Sequence, residues 1–268
     1  MIGIHLEKKY WHRLYYLSWF LLFTTQSAFG FVDWGKTGHH IIAKVAETRL
    51  TKTAHAKISD LLAGASLVEV STFADEIRSK PTYRKYASWH YVNIPDGQSY
   101  RVGKKNPKGD LIQAINHCIN QIKRSESSRE EKAFFLKLLI HFVGDAHQPL
   151  HVGRASDRGG NAIRLQWFGK QTNLHRIWDN HLIDHYLNVP AAPYGLPQWT
   201  KSKERRVARA PLMQWIKESQ DYARLIYTEI SRQKKLEDAY YAQHIAGVKT
   251  QIFKGGIRLA HLLNDLFA

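Results

Sequence analysis

The chain has 268 residues, 44% hydrophobic and 12% aromatic. That suffices for one large domain with a substantial core and is too aromatic for a disordered polymer. A formal charge of +16 and a pI of about 9.8 favour polyanionic partners such as nucleic acid or anionic lipid headgroups, although a basic secreted protein using its charge only for solubility would look the same. Cys118 is the only cysteine, which excludes an intrachain disulfide and a cysteine-built zinc cluster; between Ile115 and Ile119 it reads as a small core residue.

In chain order, Lys8, Lys9 and Arg13 precede an apolar run over 14–23 and then the small residues Ser27-Ala28-Phe29-Gly30. This is the pattern of an export signal over 1–30, cleaved before Phe31. The apolar run is too short to favour a membrane anchor, an uncleaved anchor being the alternative. The expected mature chain, 31–268, stays strongly basic, secreted or periplasmic, without stable membrane association. Apolar residues at Ile41, Ile42, Val45, Ala46 and Leu50 give a helical stripe over 38–50, and 51–62 restarts behind a Thr51 cap. A helix is expected over 70–78, stopped before Pro81, followed by a long loop over 88–106. Helices are expected over 110–123, 129–146, 175–187, 203–232 and 236–266, with a Pro-rich connection over 190–200. The alternation of Ile163, Leu165 and Trp167 marks one β-hairpin near 159–171. One mainly α domain is the economical reading.

Two stretches set a His four residues before an Asp: His141 and Asp145, then His175 and Asp179. On a helix these positions share a face one turn apart, so each pair can aim at one ion. Imidazole and carboxylate without thiolate form the donor set of catalytic zinc. Taken alone, the first pair reads more readily as a hydrogen-bonded structural histidine or a simple surface interaction than as a metal site. It lies, however, in the apolar stretch 135–143, where a buried carboxylate and imidazole need partners that a cation supplies. His151, just past Pro149, can bend a third ligand towards the site. His90 stands among aromatics, where packing is the plain alternative. Asp75 and Arg78 are either a surface ion pair worth little or a metal carboxylate beside a phosphate-binding guanidinium. The glycines of Trp34-Gly35-Lys36-Thr37-Gly38-His39 free the backbone to approach an ion closely. A multinuclear zinc hydrolase is the hypothesis these residues raise.

Trp34-Gly35…Gly38-His39, Phe73-Ala74-Asp75…Arg78, Trp89-His90-Tyr91, His141…Gly144-Asp145-Ala146-His147-Gln148-Pro149-Leu150-His151, Gly159-Gly160-Asn161 and Asn173-Leu174-His175…Trp178-Asp179 occur in this order. Together they resemble the class I zinc nucleases, the S1/P1 family of single-strand-specific nucleases and 3′-nucleotidases. The resemblance covers the mature chain to about Asp184; beyond it only the helical character matches. It implies a helical bundle of the phospholipase C/class I nuclease type holding three Zn²⁺. Asp75, His90 and His141 would bind one member of a close pair, Asp145 would bridge the pair, and Trp34 (through its main chain) with His39 would hold the other. His151, His175 and Asp179 would bind the third ion, and Arg78 matches the phosphate-contacting arginine.

In well-known relatives the tryptophan is the mature N-terminus and its amine ligates zinc. Here Phe31-Val32-Asp33 intervene, so either processing occurs later or one ion has a different ligand set. Where some relatives carry a base-recognising acid, this chain offers Asn93 and then Asp96, which leaves base preference open. The expected reaction is in-line hydrolysis of single-stranded DNA or RNA to 5′-phosphate products, with 3′-nucleotides as further substrates. Arg78 and Asp145 are the expected catalytic residues, and Tyr91 and Asn180, each beside a proposed ligand, are candidate walls of a base pocket. A zinc phospholipase C and a non-catalytic binder of polyanions are the rival readings.

Overall fold

A computed structural model describes residues 35–100, 105–187 and 195–268, and these build a mainly α fold. The first helix, α1 (Lys36–Glu47), packs along the last, α11 (Asp238–Leu266), which also meets α6 (Arg129–Asp145). α5 (Leu111–Lys123) lies against α6. Asp110 opens α5 and Ser128 opens α6, each with a reciprocal capping box. The second half of α6 is buried on every side, from Leu138 to Asp145. That is why its pattern reads as continuous apolar sequence rather than as a stripe, and why its polar side chains must find partners inside the protein.

Several expected elements are divided or shifted, each for a local reason. The helix expected over 70–78 is two short ones, α3 (Leu67–Val70) and α4 (Phe73–Arg78). Ser66 caps α3 earlier than read, and Ser71 Oγ donates to the Val68 carbonyl at 2.8 Å, a local bond that competes with helix continuation. The loop expected from 88 is preceded by a 3-10 helix, Pro81–His90, that includes His90. After it, the Val92 and Ile94 amides donate to the His151 and Gly153 carbonyls at 2.8 and 3.0 Å, laying this stretch beside the turn after α6. The helix after the hairpin contains a π-helical turn, Ile177–His181, between α7 (Leu174–Arg176) and α8 (Leu182–Leu187). The helix expected over 203–232 is split into α9 (Lys201–Ala208) and α10 (Leu212–Ile230), because Pro211 cannot continue a helix from behind.

The hairpin pairs β1 (Arg164–Trp167) with β2 (Lys170–Asn173), slightly later than expected. Phe168 and Gly169 at its tip both have positive φ, 45° and 75°, the twist that a two-residue hairpin turn demands. Leu165 and Trp167 point inwards, as their alternation predicts. A third strand, β3 (Lys235–Leu236), pairs parallel to β1; two residues are too few for periodicity to reveal. Cys118 is buried in the core, as read. Among the described residues no helix is long and apolar enough to cross a membrane.

Candidate metal centre

Three groups of donors converge: Asp75 with His90 and His141, His39 with His141 and Asp145, and His151 with His175 and Asp179. The end of α6 sits at their middle. His141 and Asp145 face the same way one turn apart, and His39 of α1 stacks on the His141 ring with centroids 3.9 Å apart. That approach needs Gly144, since a Cβ there would lie 2.6 Å from His39 Nδ1. The 3-10 helix delivers His90, α4 delivers Asp75, and the turn Pro149–Val152 delivers His151. His175 and Asp179 come from α7 and the π-helical turn.

Backbone carbonyls hold three of these imidazoles by their Nδ1 edge: His141 donates to Ser71 at 2.8 Å, His151 to His90 at 2.9 Å and His175 to Gly159 at 2.7 Å. Their Nε2 edges therefore face the site, where loss of a proton would leave the lone pair that a metal-ligating histidine needs. The break between α3 and α4 frees the Ser71 carbonyl for this duty. In the first group Asp145 Oδ2 lies 3.2 Å from His90 Nδ1 and 3.3 Å from His141 Nε2, and Asp75 Oδ1 lies 3.6 Å from each nitrogen. Donors bound tetrahedrally at about 2.0–2.1 Å stand roughly 3.3 Å apart, so these spacings fit one zinc. The other Asp145 oxygen, Oδ1, faces His39 Nε2 at 3.4 Å and His151 Nδ1 at 3.2 Å. The carboxylate thus turns one oxygen to each side. In the third group His175 Nε2 lies 3.0 Å from Asp179 Oδ2, and His151 Nε2 lies 3.5 Å from Asp179 Oδ1.

Both His39 ring nitrogens, both Asp145 oxygens, Asp75 Oδ1 and Asp179 Oδ2 are buried without a hydrogen-bond partner. Unpaired buried polar atoms are costly, and here they point at one another in groups that a cation would satisfy. Electrostatics agrees. Burial lowers His141 and His151, but Asp145 outweighs it, helped by Asp75 at His141 and by Asp179 at His151, and they are held at about 9 and about 10. Burial lowers His39 and His90 instead, His90 to about 4. Burial would raise Asp145 and Asp179, yet the imidazoles around them hold both carboxyls below the usual range. The two carboxylates thus favour positive charge on the imidazoles beside them.

Arg78 is mostly buried, with Nη1 3.7 Å from Asp75 Oδ1. Burial lowers its pKa, while Asp145, Asp179 and Tyr91 act to raise it. Tyr91 is 39% exposed and, with Asn93, Tyr100, Lys105, Asn106 and Asp110, lines a cavity of 290 Å³. Asn180 is half-buried against the start of α1: the Gly35 amide donates to the Asp179 carbonyl at 2.8 Å, and a Cβ on Gly35 would strike the Asn180 side chain. Of the expected site residues, only Trp34 lies outside the described residues.

Sequence reasoning missed the supports behind the ligands. Ser219 Oγ (α10) donates to the Ala146 carbonyl at 2.7 Å and Gln251 Nε2 (α11) to the His147 carbonyl at 3.1 Å. Arg258, fully buried on α11, donates to His147 Nε2 at 2.9 Å and to both Glu218 oxygens at 3.1 and 3.0 Å. His147 Nδ1 is 2.7 Å from the Val143 carbonyl, so this histidine of the motif is a brace and not a donor to the centre.

A family model described as S1/P1 Nuclease matches residues 34–268. Endonuclease 2 of Arabidopsis thaliana is 33% identical over 87% of this chain and 90% of its own length. Endonuclease 4 of the same plant is 31% identical over 94% and 95%, and Nuclease P1 of Penicillium citrinum 27% identical over 87% and 97%. With the motifs in order, their donors gathered in three groups and a family match from Trp34 onwards, the chain belongs to the S1/P1 nuclease family.

Proposed function

We propose that the protein is a secreted, trinuclear-zinc phosphodiesterase that hydrolyses single-stranded DNA and RNA to 5′-phosphate products and acts also on 3′-nucleotides. The observation that carries this reading is Asp145, whose two oxygens face two sets of imidazoles while a third His–His–Asp set stands beside them. Asp75, His90, His141 and Asp145 would hold one ion of the close pair; Asp145, His39 and the Trp34 main chain would hold the other. His151, His175 and Asp179 would hold the third. Bound there, the ions supply Lewis acidity, which eases attack on a phosphate shielded by its own charge.

The chain's own residues do the rest. Arg78 forks onto a non-bridging phosphoryl oxygen, its burial strengthening the contact and its partner Asp75 fixing its aim. Tyr91 offers an exposed ring against which an unstacked base can lie, which a duplex would not present, and Asn180 borders the same centre. The positive surface draws the strand in and makes binding salt-dependent. We also assign 1–30 to an export signal and 31–268 to the nuclease domain. The N-terminal residue found by mass spectrometry of the mature protein tests both that boundary and the Trp34 ligand.

Purified protein incubated with single-stranded DNA, RNA, 3′-nucleotides and phosphatidylcholine gives the decisive comparison. Nucleotide release that stops with a chelator and returns with zinc is expected. Lipid turnover alone would make it a phospholipase C, and polyanion binding that survives chelation without turnover would make it a binder only.

A further inference from the structure

Gln148 lies in the turn between α6 and His151, fully buried, and both ends of its amide are engaged. Its Oε1 accepts from the Leu150 N–H at 2.5 Å, and its Nε2 donates to Asp179 Oδ1. A backbone N–H can only donate, so it fixes which end of the amide must face the carboxylate. With Oδ1 bonded to Gln148 and also 3.5 Å from His151 Nε2, Asp179 keeps Oδ2 towards His175 Nε2, 3.0 Å away, and that oxygen has no hydrogen bond of its own. The Asp179 carbonyl is held separately by the Gly35 amide at 2.8 Å, so backbone and side chain are anchored from two directions.

We propose that Gln148 is a positioning residue for the third ion. Its amide holds Oδ1, sets the rotation of the Asp179 carboxylate so that Oδ2 is presented beside His175, and ties Asp179 to the segment that carries His151. Two ligands from separate stretches of chain thereby keep their register. The inference rests on the reading that zinc occupies the His151, His175 and Asp179 group. The plain alternative is a glutamine that only fills space in the core.

Two variants separate the readings. Gln148→Glu keeps the shape and the acceptor for Leu150 but sets an oxygen, not a donor, against Asp179; Gln148→Met keeps the volume and removes both bonds. Zinc is counted by native mass spectrometry, and its binding constants are measured by competition with a chelator of known affinity. Thermal melting of the chelated proteins reports any damage to the fold itself. The wild type is expected to hold three ions. Both variants are expected to bind one of them about 10–100-fold more weakly, with the other two unchanged, as is usual when a group behind a metal ligand is lost. A space-filling residue would move the melting temperature and leave all three constants alone. If either folded variant keeps three ions at wild-type affinity, the positioning role is wrong. A wild type holding no zinc would overturn the metal reading itself, and this inference with it.

Discussion

Replacing Asp145 by Asn tests the centre at its most connected point. The side chain is fully buried, with His90, His141 and His151 nitrogens at 3.2, 3.3 and 3.2 Å and His39 at 3.4 Å. Asparagine preserves the shape, removes the charge and turns a non-ligating NH₂ towards one of the two sides. The size of the loss follows from His141, which is held at about 9, well above the ordinary 6.5 of a histidine, although burial pulls it down. At about 1.4 kcal/mol per pKa unit, that lift reports roughly 3 kcal/mol of stabilisation for a single positive charge at this place. Asp145 is its leading source. A divalent ion would lose at least as much, so zinc binding by the close pair should weaken about 100-fold or more, and turnover should fall by a factor on the order of 10²–10³. Native mass spectrometry should find the pair depleted and the third ion retained, and assays on a single-stranded oligonucleotide should find little product. A variant that keeps three ions and near-normal rates would refute the reasoning.

Other outcomes follow from the same geometry. Arg78→Lys keeps a positive charge but loses the fork, so kcat/KM should fall roughly 10–100-fold, the scale of one charge-assisted bond, with zinc content unchanged; a matching loss of zinc would place Arg78 in metal retention instead. Because His141 and His151 are held at about 9 and about 10, the metal-free protein carries both protons at neutral pH, and zinc uptake must release them. Calorimetry in buffers of different ionisation heat should register about two protons released at pH 7, and zinc affinity should strengthen with rising pH up to about 10. The sign for the metal-free fold is the reverse: the stability these two raised groups contribute is complete below about 6.5 and disappears as pH climbs through 9 to 10. Arg258→Met breaks the pair between a buried guanidinium and the partly exposed Glu218 and unseats His147; a cost of about 2–3 kcal/mol, or roughly 4–12 °C in melting temperature, is expected from calorimetry. An unchanged melting temperature would mean the network contributes nothing.

The donors were legible because their chemistry is carried by side-chain identity at helical spacing: His141 with Asp145, and His175 with Asp179, each face one group as their i, i+4 separation predicts. What holds the donors was not. The acceptors for His141, His151 and His175 are the main-chain carbonyls of Ser71, His90 and Gly159, and a carbonyl leaves no mark in a sequence. Gln148 stood inside the quoted motif, but only the fold shows that it reaches Asp179. The splits at Ser71 and Pro211 had local signals, a hydroxyl able to bond its own backbone and a missing N–H, that a 3.6-residue period averages over.

Every candidate donor and contact residue named here precedes residue 187, yet Ser219, Gln251 and Arg258 clasp the exit of α6 from the far end of the chain. Trimming from the carboxyl terminus should therefore silence the protein before a single ligand is cut. The last eighty or so residues, poorest in recognisable signature, act as the clamp on which the signature-bearing portion depends.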